Sequence, residues 1–126
     1  MSLNEHIESV KRAVQRLDDY GLAETIEPFS DLRMDNTGFL SIKVTLINKY
    51  ELYIREYLNG QSGVEIVSYS YQYQSADKTL IFRYDNSKHK PALGFDEHKH
   101  LRDGSIIPSP LPSIDEIVDD VIACLG

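Results

Sequence analysis

Apolar residues fall at two different periods along this chain, and the change of period divides it. Near the start, Leu3, Ile7, Val10, Val14 and Leu17 recur at spacings of four and three, one stripe of a helix. The pattern predicts a helix over about 3–20, opened by a Ser2/Glu5 capping box and closed at Gly21. From about 26 to 86 the period becomes two. "FLSIKVTLI" alternates Leu40, Ile42, Val44 and Leu46 with Ser41, Lys43 and Thr45, which is a half-buried strand. "YELYIREYL", "VEIVSYSYQYQ" and "TLIFRYDN" are further β-rich runs, separated by "NKYE", "NGQSG" and "SADK". "SIIPS" fits one more short strand, confined to an edge by Pro108 and Pro110. Ser113 and Glu116 then cap a last helix over about 113–124, with Ile114, Ile117, Val118, Val121, Ile122 and Leu125 on one stripe.

Short connections favour an antiparallel meander, because parallel strands need long crossovers. The expectation is an α+β fold: a single antiparallel meander sheet of about five strands over about 26–86, flanked by an N-terminal and a C-terminal helix. Residues 87–104 read as a His-rich loop, and 1–126 as a single domain. Tyr69, Tyr71 and Tyr73 share one face of their strand. An even loop across "SADK" puts them beside Leu80, Phe82 and Tyr84 as core, and gathers Ser70, Gln72, Gln74, Arg83 and Asp85 on the other face. An odd loop reverses the faces and would make the tyrosines a base-stacking platform.

Composition changes this picture little. The chain is 41% hydrophobic and 26% charged, with one cysteine, ordinary values for a globular protein without a disulfide. No apolar run approaches the ~20 residues that span a bilayer, so no membrane partner is expected and the cytoplasm is the expected location. Charge is more informative. The chain carries −7 overall, yet 83–103 holds five Lys/Arg against four Asp/Glu, with His89, His98 and His100 in addition. A locally basic patch on an acidic body suits a discrete anion better than a long duplex.

That segment, "FRYDNSKHKPALGFDEHKH", supports three chemistries. As metal ligands, His98 and His100 would point to one side of a strand, with His89, Asp85 or Asp96 completing the set; the spacing matches no zinc signature. As metal-free phosphate chemistry, histidines supply acid and base near neutral pH, and Arg83 and Lys99 supply charge for the pentavalent phosphorane. Lys99 would alternate away from its histidine neighbours on a regular strand. As a solvated loop marked by Pro91 and Gly94, the segment does nothing. His6, beside the first helix stripe, reads as a surface or boundary residue.

The run "YSYQYQSADKTLIFRYDNSKHKP", followed by "FDEHKH" and "PSPLPSIDEIVDDVI", resembles the TumE family, toxins of type II toxin–antitoxin operons. The resemblance spans about residues 38–124 and rests on Arg83, Asp85, Asn86, His89, His98, Lys99 and His100. It implies a cognate antitoxin, commonly a helix-turn-helix protein encoded next to it. The combined expectation is a toxin acting on RNA as a metal-independent endoribonuclease. Arg83, Lys99 and Asn86 would bind phosphate, His89, His98 and His100 would be acid and base, and Asp85 would orient them. No cofactor and no metal are expected, and a homodimer is compatible with the chain. A non-enzymatic interaction module and a metal-dependent hydrolase are the rival readings.

Overall fold

The Ser2 hydroxyl accepts the Glu5 N–H while the Glu5 carboxylate takes the Ser2 N–H, so α1 (Leu3–Asp19) starts on the predicted capping box. The chain turns out of this helix at Gly21, whose φ of 71° is left-handed. The computed structural model describes residues 1–87 and 94–125. Within them follow β1 (Ala23–Leu32), β2 (Thr37–Leu46), β3 (Glu51–Asn59), β4 (Glu65–Gln74), β5 (Leu80–Asp85), β6 (His98–Leu101), β7 (Ile106–Pro108) and α2 (Ile114–Leu125). Every strand pairs antiparallel with its sequence neighbour, giving one sheet in the order β1 to β7.

The α+β meander with two flanking helices is as expected, but the sheet has seven strands rather than about five. It also runs from Ala23 to Pro108, beyond the expected 26–86. The strand β1 escaped the pattern because its side chains scarcely alternate: it is exposed almost throughout and contains Pro28. Backbone pairing to β2 holds it, and an edge position tolerates the proline. The strand β6 lies inside the stretch 87–104 expected as a loop. "HKHL" has no apolar alternation, so only its pairing with β5 and β7 reveals it. The strand at "SIIPS" is β7, at the sheet edge as predicted.

Both helices lie on one face of the sheet. There Val14 and Leu17 of α1 and Ile117, Val118 and Val121 of α2 share a buried core with Leu40, Ile42, Val44, Leu52 and Ile54. Tyr69, Tyr71 and Tyr73 join this core beside Phe82 and Tyr84, the outcome of the even hairpin register. Fully burying each such side chain is worth roughly 1.5–3 kcal/mol. Neither helix packs against the opposite face. Register places two cross-strand rows on it: Lys43, Tyr53, Gln72, Arg83 and His100, and beside them Ser41, Arg55, Ser70, Asp85 and His98.

Candidate functional site on the uncovered face

Strand alternation on β5 and β6 brings four of the expected residues together. Arg83 pairs with His100 and Asp85 with His98, so all four project from the face away from the helices. Asp85 is the hub. Its Oδ1 lies 2.6 Å from His98 Nε2 and accepts the Ser87 N–H at 3.1 Å. Its Oδ2 accepts from Arg83 Nε at 2.8 Å and lies 3.5 Å from His100 Nε2.

Donor rules fix most of the protons. His98 Nδ1 stands 2.7 Å from the Asp96 carbonyl, which can only accept, so Nδ1 carries a hydrogen. Arg83 Nη2 stands 3.1 Å from His100 Nε2, and a guanidinium only donates, so that nitrogen presents its lone pair. His98 Nε2 also stands 3.1 Å from His100 Nε2. The side chain of His98 is fully buried and that of Asp85 is 4% exposed, whereas Arg83 reaches 35%. His100 lies between them at 12%. The buried pair is a foundation, and Arg83 with His100 is the part that a solute can touch.

The frame beneath His98 is built by Glu97. Its carboxylate accepts from the Tyr69 hydroxyl and from the Leu111 N–H, each at 3.1 Å, pinning the entry to β6 against β4 and the approach to α2. Burial, and then the Glu97 charge, push the Tyr69 phenol well above its ordinary range, so it stays a donor. The remaining expected residues stand elsewhere. The Asn86 amide accepts from the Tyr69 N–H and donates to the Val67 carbonyl, both at 3.1 Å, clamping β5 to β4. Lys99 is on the helix-side face, its Nζ 4.7 Å from the Tyr84 ring centroid. His89 lies outside the described residues.

Asp85, His98 and His100 could also hold a metal, since each offers one ligand atom and these lie within 4.8 Å of one another. The hydrogen from His98 Nδ1 to a backbone carbonyl is the usual support for a ligating histidine. Against this, Arg83 already donates to His100 Nε2 and Asp85 Oδ2, two positions that a cation would need.

Three features escaped sequence reasoning. A polar groove lined by Tyr53, Arg55, Ser70, Gln72 and Gln74 adjoins the cluster across β3 and β4. Beyond it, Phe29, Phe39 and Tyr57 form an aromatic group, with centroid separations of 6.2 and 4.8 Å. The available signal was parity: Phe39 belongs to the same alternating set as Ser41 and Lys43. On the helix side, His6 Nε2 lies 2.7 Å from Oε1 of Glu56, a buried carboxylate that also accepts the Tyr71 hydroxyl. His6 is therefore the partner of a core charge, and Glu56 was recognisable as an acid in step with Leu52 and Ile54. Burial, and then Glu56, raise the Tyr71 phenol far above its usual value.

The fold is a two-layer α+β protein whose antiparallel meander carries an arginine, an aspartate and two histidines in one cluster. The family model described as Toxin TumE matches residues 13–125, and the chain belongs to that family. It is thus the toxin of a toxin–antitoxin system, with a cognate antitoxin as its partner. No curated protein and no solved structure matches the chain. Among the described residues, no helix is long and apolar enough to cross a membrane.

Proposed function

We propose that this toxin acts on RNA as a metal-independent endoribonuclease, with Arg83 and His100 as the groups that meet the substrate. The observation that carries the reading is the half-exposed guanidinium set against the accepting nitrogen of a histidine. An arriving phosphate draws the guanidinium onto its own oxygens, which removes the Arg83 hydrogen bond from His100 Nε2. His100 then takes the proton of the 2′-hydroxyl as its oxygen forms a bond to phosphorus. The bond from phosphorus to the 5′-oxygen breaks, leaving a 2′,3′-cyclic phosphate and a 5′-hydroxyl that needs one proton. His89 is the candidate donor of that proton on sequence grounds. Arg83 offsets the charge that builds on the phosphorane. Asp85 and His98 are positioning residues: buried and bonded to one another, they set the plane of His100 and the reach of Arg83.

In this reading the cognate antitoxin is a helix-turn-helix protein encoded beside the toxin, and the chain works as a single domain in the cytoplasm. The metal-dependent hydrolase is kept as a second reading because of the three converging ligand atoms. The test is expression without the antitoxin, followed by RNA cleavage with the purified protein. Growth should stop, and Arg83→Ala or His100→Ala should restore it by lowering the cleavage rate roughly 100- to 10,000-fold. Full toxicity in both variants would remove the cluster from the mechanism. Toxicity without cleavage of any RNA would remove the chemistry and favour a toxin that works by docking to a protein.

A further inference from the structure

We infer that the uncovered face is a single-strand platform, on which RNA runs from the Arg83–His100 end across Arg55 and Tyr53 to the Tyr57–Phe39 aromatics. The inference rests on the endoribonuclease reading for where the scissile phosphate sits, and it assigns the surface that selects the substrate. Three observations carry it.

The first is register. Arg55 shares a cross-strand row with Ser70, Asp85 and His98, so it stands two strands, or about 10 Å, from Asp85. Tyr53, Gln72, Arg83 and His100 form the adjacent row. The polar groove lies between the cluster and the aromatics, which makes the path continuous.

The second is exposed aromatic surface in the right chemistry. Tyr57 is 56% exposed and Phe29 59%, on a face that neither helix covers. Rings left open on a sheet are what an unpaired base can stack on, as its π-face is available only in a single strand. Ser70, Gln72 and Gln74 between them supply donors and acceptors for base edges.

The third is charge. Lys43 is paired with Glu51 at 3.2 Å and Arg33 with Asp31 at 3.5 Å, while Arg55 has no ion-pair partner among the described residues. Arg55, spaced along the path from Arg83, suits a neighbouring phosphate of one strand. A duplex would instead call for a broad basic surface, which a net charge of −7 disfavours.

The test uses the full chain and a fluorescent 2′-O-methyl oligoribonucleotide, which binds as RNA does but cannot attack its own phosphate. Anisotropy should show the single strand bound more tightly than the matching duplex. Tyr57→Ala and Arg55→Ala should each weaken binding about tenfold, and Tyr57→Phe should retain it. Equal affinity for the duplex, no binding by the wild type, or unchanged binding by both alanine variants would overturn the platform. So would loss of antitoxin binding with unchanged RNA affinity in Tyr57→Ala, since the face would then belong to a protein partner. Because the probe cannot be cleaved, the two proposals fail separately. Tyr57-dependent binding by a protein that cuts no RNA refutes only the cleavage reading, and Tyr57-independent cutting refutes only the platform.

Discussion

Arg83 and His100 stand side by side on neighbouring strands with Nη2 and Nε2 3.1 Å apart, and the arginine is the donor of that contact. A cation thus donates to a ring nitrogen that also stands 3.1 Å from His98 Nε2. The same guanidinium holds Asp85 through Nε at 2.8 Å. It ties the accessible histidine to the buried His98–Asp85 pair beneath it. In the proposed mechanism an arriving phosphate competes for the hydrogen bond that Arg83 gives to His100.

This competition bears on metal content. Zinc would need bonds of about 2.0–2.1 Å to both Nε2 atoms, with Arg83 displaced by an ion of its own sign. Purified protein should therefore carry no stoichiometric zinc or manganese, and RNA cleavage should persist in a chelator. About one ion per chain by elemental analysis, lost in a His98→Ala and His100→Ala double variant, would install the metal-dependent mechanism instead.

Lys99 provides a contrast within the same "HKH" triplet. Its Nζ lies 4.7 Å from the Tyr84 centroid and 5.5 Å from that of Phe82, on the face opposite its histidine neighbours. Lys99→Ala should leave growth arrest intact and lower stability by about 0.5–1 kcal/mol, the range of an exposed cation–π contact. Loss of toxicity with an unchanged melting temperature would return Lys99 to phosphate binding.

Glu51 sets an acid limit on stability. Lys78 first, then Gln74 and Lys43, hold its carboxyl at about 2, well below the ordinary carboxylate range. A pKa lowered on folding contributes stability above the unfolded value of about 4.3, and that contribution disappears as pH falls through the folded value. Glu51→Gln should thus be less stable than the wild type at neutral pH, by roughly 1–3 kcal/mol. In urea titrations the gap should narrow between pH 5 and pH 2. A gap independent of pH would assign the loss to packing rather than charge.

Several features were legible in the chain because they depend on neighbours in sequence. Capping at Ser2 and Ser113, the helix stripes, the alternation of β2 and the face taken by Tyr69, Tyr71 and Tyr73 all follow from local period and turn parity. The residue types of Arg83, Asp85, His98 and His100 marked them as candidates, and strand register brings these four together. Tertiary structure decided the rest. The strand β1 exists because β2 offers it a backbone ladder, a pairing that needs no apolar alternation. His98 became a buried partner of Asp85 while Lys99 turned to the opposite face, because β6 entered the sheet as a regular strand. Residue types fix what a side chain can do. Register between strands distant in sequence fixes which side chains meet, and on the face away from the helices that register set polar positions from four strands side by side.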